Sequence, residues 1–211
     1  MTRISFLGSG NVAAALARPL GSHGHSVLVG SRDPARVSWV GGADVRATTL
    51  DDAAAGGEVV INALPGAVSL EILSRLRSAL DGKILIDVAN AVRVDAAGFA
   101  TELLYPGSSL AAEIQLALPR TEVVKALNTM HVSLMARPNL VAHSPAVFLS
   151  GNTIEAKQGT GRLLEDLGWL PHDIFDLGPI GTAQWSEGFI MTIRPLISAL
   201  GPVPFGLAVA R

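Results

Sequence analysis

The sequence predicts an α/β protein: a doubly wound, mostly parallel sheet with a small C-terminal helical lobe. Three observations carry this expectation. Short apolar runs alternate with stretches of helical periodicity along nearly the whole chain, the order such a sheet requires. The runs are unbroken rather than alternating, as in Val27-Leu28-Val29 and Ile84-Leu85-Ile86, which suits strands buried on both faces. A glycine-rich turn, Gly8-Ser9-Gly10-Asn11-Val12-Ala13, follows the first run and opens the first helical pattern. At 211 residues and 49% hydrophobic content the chain has ample material for a core, and it is expected to divide into a nucleotide-binding domain over 1–150 and a smaller lobe over 151–211.

In order, the first strand is expected over 3–7 and the first helix over 11–20, with Pro19 inside it at a cost of roughly 3 kcal/mol. Gly24 and the strand over 27–29 follow. Asp33 before Pro34 predicts an N-cap and first position of a helix over 34–40. The run over 45–49 reads as an edge strand, and Asp51-Asp52 opens a short helix. The next strand, over 58–65, ends in the breaker pair Pro65-Gly66. Leu70, Leu73, Leu76 and Leu80 carry helical spacing over 68–80. Strands are then expected over 83–90, 122–127, 146–150 and 173–177, and helices over 109–118, 154–167 and 182–200.

The chemistry concentrates in the first sixty-five residues. Gly8, Gly10 and Ala13 match the Gly-x-Gly-x-x-Gly/Ala turn of a Rossmann unit, whose backbone N–H groups and helix N-terminus hold a pyrophosphate; Gly8, Ser9, Gly10, Asn11 and Val12 are therefore assigned to the cofactor. An NAD-binding unit places Asp or Glu about twenty residues further on, for the ribose 2′-hydroxyl. Here that position is Gly30, followed by Ser31 and Arg32, a hydroxyl and a planar cation suited to a 2′-phosphate. NADP(H) is the expected cofactor, with Arg36 as a second cation. Ala63, Leu64 and Pro65, and Ala89 and Asn90, end strands where a doubly wound sheet forms its ligand crevice and are assigned to the same cofactor.

Asn128, Thr129, Met130 and His131 end the strand over 122–127 and are the expected substrate residues. His131 is the candidate proton donor for a carbonyl or imine acceptor, set against a purely structural role. Trp185 and Trp169 offer a ring cover or core packing, and Trp185 is counted with the substrate residues. His23, His25, His143 and His172 lack ligand spacing and read as surface or turn residues. A formal charge of −2 with no basic block argues against nucleic acid, and the absence of cysteine excludes thiolate chemistry and Cys-ligated zinc; no metal site is expected. A first strand close to the initial Met and no run long enough for a membrane span predict a cytoplasmic protein without membrane contact. The apolar face of Phe189, Ile190, Ile193, Leu196, Ile197 and Leu200 predicts a homodimer.

Gly8-Ser9-Gly10-Asn11-Val12, Val29-Gly30-Ser31-Arg32, the segments 123–129, 147–152 and 176–180, and the closing 195–211 together resemble the NADPH-dependent reductases of the deazaflavin coenzyme F420. The resemblance implies hydride transfer between nicotinamide and deazaflavin in a homo-oligomer. It implies that Ser9, Ser31 and Arg32 hold the 2′-phosphate, that Asn11 and Val12 belong to the phosphate loop, that Leu64 and Pro65 flank the nicotinamide, and that 128–131 line the deazaflavin pocket. Asn128 stands where that family has His. An NADPH-dependent ketone or imine reductase, and a non-catalytic NADP(H)-binding redox sensor, are the alternatives.

Overall fold

The computed structural model describes residues 1–41 and 44–210, so Arg211, the last residue of the expected lobe, lies outside the described residues. The chain runs β1 (Arg3–Leu7), α1 (Asn11–Ser22), β2 (Ser26–Ser31), β3 (Val45–Thr49), α2 (Leu50–Gly56), β4 (Val59–Asn62), α3 (Gly66–Arg75), α4 (Arg77–Leu80) and β5 (Ile84–Asp87). It continues through β6 (Val92–Val94), β7 (Ala100–Leu103), α5 (Leu110–Ala117), β8 (Glu122–Lys125), β9 (Val147–Gly151), α6 (Ile154–Asp166), β10 (Ile174–Gly178), α7 (Ala183–Gly188) and α8 (Ile193–Leu200).

Eight strands form one sheet in the order β10-β9-β8-β5-β4-β1-β2-β3. The six from β3 to β8 are parallel; β9 runs antiparallel to β8, and β10 parallel to β9. The expected doubly wound, mostly parallel sheet is therefore the observed one; the expected boundary at residue 150 falls inside β9, and β10, from the expected lobe, joins the same sheet. From β1 the chain winds outward to β2 and β3, then returns to β4 and on to β5 and β8, which places the topological switch point between β1 and β4.

Successive residues of each central strand feed opposite core layers, which is why the strands read as unbroken apolar runs. Ile4 and Phe6 pack with Leu16, Leu20 and Leu163 beneath α1 and α6, whereas Leu7, Val60 and Leu85 pack with Leu73 and Ile114 beneath α3 and α5. Gly30 is held to glycine by close packing: a Cβ there would lie 2.9 Å from the Ala53 Cβ on α2 and 3.0 Å from the Phe6 carbonyl oxygen.

Several expectations are corrected. The helix over 34–40 is only a 3-10 turn, Pro34–Arg36, and Asp33 makes no side-chain cap; its carboxylate pairs with Arg36 Nε at 3.2 Å instead. The helix over 68–80 breaks at Leu76 into α3 and α4, and the segment 182–200 is α7 and α8 joined by a 3-10 stretch, Phe189–Thr192. Helix α1 runs through Pro19 to Ser22, because Pro19 falls in the last turn, where it removes one helical bond while its own carbonyl still accepts from the His23 amide at 3.0 Å. His25 is buried, not a surface residue: Nδ1 accepts from the Thr2 amide and Nε2 lies 3.0 Å from the Asp166 carboxylate, joining the start of β2 to the end of α6. The β6–β7 hairpin carries no apolar pattern in the sequence; its strands are short and largely exposed.

Candidate active site

A cleft of about 1180 Å³ opens at the carboxyl ends of β1, β2 and β4. Its walls include Gly8 to Val12, Ser31, Arg32 and Arg36, and Ala63 to Pro65, so eleven of the thirteen expected cofactor residues meet in one place. The two glycines of the turn do different work. Gly8 has φ +108°, and a Cβ there would sit 2.5 Å from the Ala63 carbonyl oxygen, so only glycine lets the loops after β1 and β4 touch. Gly10 caps α1 without a side-chain bond, and a Cβ there meets nothing within 4 Å. The space above the helix N-terminus is therefore free of protein atoms, and no acidic residue occupies the first turn. That arrangement fits a pyrophosphate, which the free amides and the helix dipole favour.

Ser31 Oγ lies 3.2 Å from Ser9 Oγ and accepts from the Asp33 amide at 3.2 Å, which fixes the hydroxyl beside Arg32 at the end of β2. Arg32 is exposed and no ion pair holds it among the described residues. Trp39, which the sequence reading missed, is a further wall: its Nε1 donates to the Ser9 carbonyl at 2.9 Å, and the Arg18 guanidinium lies 5.9 Å from its ring centroid while donating to its carbonyl. On the far wall, Val68 and Ile72 of α3 present apolar surface next to Arg75.

Ala89, Asn90 and the expected substrate residues lie beyond this cleft, past the ends of β5 and β8. Asn128, Thr129 and Met130 are buried beneath the C-terminal tail: Leu207 N donates to the Thr129 carbonyl, His131 N donates to the Phe205 carbonyl, and Met130 bridges Gly206. Asn128 Nδ2 donates to Asn90 Oδ1, and Asn90 Nδ2 donates back to the Asn128 carbonyl. Asn128 Oδ1 is buried without a partner among the described residues, and Leu127 beside it has φ +60°, a left-handed conformation that a leucine adopts only under strain. His131 is exposed, and its Nδ1 accepts from the Ser133 amide at 3.2 Å, capping the turn Val132–Leu134. Trp185 is 72% exposed on α7 and covers no part of the cleft, whereas Trp169 is core, its Nε1 donating to the Met135 carbonyl.

Beneath the region past β4 lies a polar cluster within the sheet. The last residues of three adjacent strands, Asn62, Asp87 and Lys125, stand side by side in register. Lys125 Nζ lies 2.8 Å from Asp87 Oδ2 and 3.0 Å from Glu187 Oε1, and also donates to the Ala89 carbonyl. Asp87 accepts from Asn62 Nδ2 at 2.8 Å and from the Ala89 amide, and Asn62 Oδ1 accepts from the Leu64 amide. Glu187 accepts from the amides of Leu110 and Ala111 at the start of α5. Burial pulls the Lys125 ammonium down, but the carboxylates of Asp87 and Glu187 outweigh it and hold its pKa above the ordinary lysine value. A polar residue closing each of three successive apolar runs is the sequence signal for this row. Glu187, inside an apolar helical stretch, gives none.

Of the cations after residue 119, Arg120, Lys125, Lys157 and Arg194 are each held by carboxylates, of Asp81, Asp87 with Glu187, Asp176 and Asp95 respectively. Among the described residues no group of three or more His, Cys, Asp or Glu could hold a metal ion, and no helix is long and apolar enough to cross a membrane.

A doubly wound sheet, a glycine cradle at its switch point and a Ser-Arg pair in place of an acidic ribose ligand are the features of a Rossmann-type unit suited to NADP(H). Comparison with known proteins gives the family. Residues 3–91 match the model for NADP oxidoreductase, coenzyme F420-dependent. The crystal structure of a proposed F420-dependent NADP reductase from Arthrobacter sp. FB24 is 37% identical, with a TM-score of 0.92 and coverage of 100% of both chains. The F420-dependent NADP reductase of Methanocaldococcus jannaschii is 32% identical over 55% of this chain and 52% of its own. Metalloreductase STEAP3 of Rattus norvegicus is 30% identical over 92% of this chain, which spans only 37% of that protein's length. The chain belongs to the coenzyme F420-dependent NADP oxidoreductase family.

Proposed function

We propose that the protein transfers a hydride between NADP(H) and the deazaflavin coenzyme F420. The observation that carries this reading is the whole-length match to a proposed F420-dependent NADP reductase, together with a cleft whose chemistry suits a 2′-phosphorylated dinucleotide. The amides above Gly10 bind the pyrophosphate, and Ser9, Ser31 and Arg32 hold the 2′-phosphate. Arg36 joins them once it leaves Asp33, an exposed pairing that contributes well under 1 kcal/mol. Ala63, Leu64 and Pro65, with Ala89 and Asn90, support the nicotinamide, which when bound supplies or accepts the hydride. The side chains then have only to align two rings and exclude water. The acceptor side lies past the ends of β5 and β8, where Asn128 to His131 underlie the tail at 205–207; Trp185, exposed on α7, takes no part in this reading. His131 caps the turn Val132–Leu134 through Nδ1, and hydride transfer to a deazaflavin asks no proton of it in this reading.

The test is anaerobic mixing of purified protein with NADPH and oxidised F420, followed by the visible absorbance of the deazaflavin. Bleaching at a rate proportional to enzyme is expected. NADPH oxidation with an imine or a ferric chelate, and none with F420, would replace this acceptor.

We further propose a homodimer through α8 and the tail. No residue of α8 is buried, although Ile193, Leu196, Ile197 and Leu200 are apolar, and Leu200, Val203 and Val209 are each about half exposed. Light scattering at micromolar protein should give twice the chain mass; a monomer mass refutes the pairing.

A further inference from the structure

We propose that the buried Asp87–Lys125–Glu187 group is an electrostatic positioning device that tilts the bound cofactor toward its oxidised form. The inference rests on the reading that this cleft binds NADP(H). The carboxyl-end residues form one row across the sheet: Gly30 pairs with Leu7, Leu7 with Asn62, Asn62 with Asp87, and Asp87 with Lys125. The chain leaving Leu7, Gly30 and Asn62 builds the cleft wall, and the chain leaving Asp87 and Lys125 continues the row just beyond it. Ser31 and Arg32 select the 2′-phosphate at the β2 end, and the pyrophosphate seat lies above β1, so the opposite end of the dinucleotide extends over β4, β5 and β8. The charged part of the row lies under that half.

The group carries two carboxylates and one ammonium, all at most 5% exposed. Every neighbour of the carboxylates is a donor: Asn62 Nδ2, the Ala89 amide and Lys125 for Asp87, and the Leu110 and Ala111 amides and Lys125 for Glu187. Both therefore act as acceptors only, as ionised carboxylates do, leaving one unit of negative charge in excess. Amide dipoles hold that charge in place without cancelling it. A nicotinamide ring is cationic when oxidised and neutral when reduced, so fixed negative charge beneath it favours the oxidised ring. A unit charge about 10 Å away, at an effective dielectric of about 20, shifts such an equilibrium roughly tenfold. The same cluster positions the rim, because Asn62 holds the Leu64 amide and Asp87 the Ala89 amide. A structural defect in it would weaken both redox forms of the cofactor together; the charge acts on their ratio.

The experiment measures dissociation constants of NADP⁺ and NADPH by calorimetry for wild type, Glu187→Gln and Asp87→Asn, with near-ultraviolet circular dichroism to check folding. Each variant removes one negative charge at nearly constant shape. Both are expected to raise the ratio of the NADP⁺ constant to the NADPH constant by about three- to tenfold, whatever happens to the absolute values. Ratios within a factor of two of wild type overturn the inference. Should neither variant fold, the wild type decides: NADPH held more than tenfold tighter than NADP⁺ overturns the proposed tilt, and comparable or tighter NADP⁺ binding upholds it. A wild type that binds neither dinucleotide instead removes the cofactor reading itself.

Discussion

The phosphate side of the crevice, at the ends of β1 and β2, is made largely of backbone: a glycine that lets two loops touch, a helix N-terminus without a side-chain cap, and one pair of serine hydroxyls. The opposite side, at the ends of β4, β5 and β8, is made of side chains drawn from distant parts of the chain, with Glu187 of α7 reaching Lys125 of β8 and Asp87 of β5 reaching both Asn62 and Lys125. The first design needs a contiguous run of about six residues and leaves its amides free for a ligand. The second pairs its buried charged groups with one another and with amides, and it ties the C-terminal helices to the crevice floor. A change on the backbone side should thus remove binding and spare the fold. A change on the side-chain side should strike the fold first.

The largest expected effect tests the first half of that contrast. Gly10→Val places its side chain in space empty of protein, so the thermal midpoint should stay within a few degrees of wild type while NADPH binding becomes undetectable by fluorescence titration. A large drop in midpoint would show that the turn is structural after all. Lys125→Met is the counterpart: it leaves two buried carboxylates without their cation and should lower the unfolding free energy by about 3 to 5 kcal/mol in urea denaturation. The pH dependence has a definite sign. The folded Lys125 pKa lies above its ordinary value of 10.5, so its contribution is complete below that value and is lost as pH rises through the still higher folded pKa. Wild type should therefore lose stability on the alkaline side, and Lys125→Met should lose less there.

Arg32→Ala comes next. Removal of a charge-assisted contact worth about 1.5 to 3 kcal/mol should weaken NADPH by roughly 10- to 150-fold and leave NADH unchanged. Equal losses for both coenzymes would take Arg32 away from the phosphate. The smallest effect is expected at His131→Phe. Loss of the Nδ1 cap should cost about 1 kcal/mol of stability, and single-turnover NADPH oxidation with F420 should stay within tenfold of wild type. A hundredfold fall in that rate would make His131 a proton donor and break the view that the acceptor side works by alignment alone.

The sequence alone determined the parallel sheet, the order of its strands up to β5 and the cleft wall from Gly8 to Pro65. The reason is that the signals are contiguous: an unbroken apolar run means a strand buried on both faces, and the turn Gly8 to Ala13 and the strand end Gly30-Ser31-Arg32 are each a short motif readable without distant neighbours. The same locality explains why β3 and the Thr49-capped α2 fall where they were expected. Where a choice depended on distant neighbours, the sequence was silent or misleading. His25 read as a turn residue until α6 brought Asp166 to it across 141 positions. Asn128 to Met130 read as an open pocket wall, yet the tail at 205–207 lies on them, and that contact exists only once β8 is in place. Nothing around Glu187 marks it as the partner of Lys125, because a buried charge pair is defined by two positions that meet through the fold, and either one alone looks like any other charged residue.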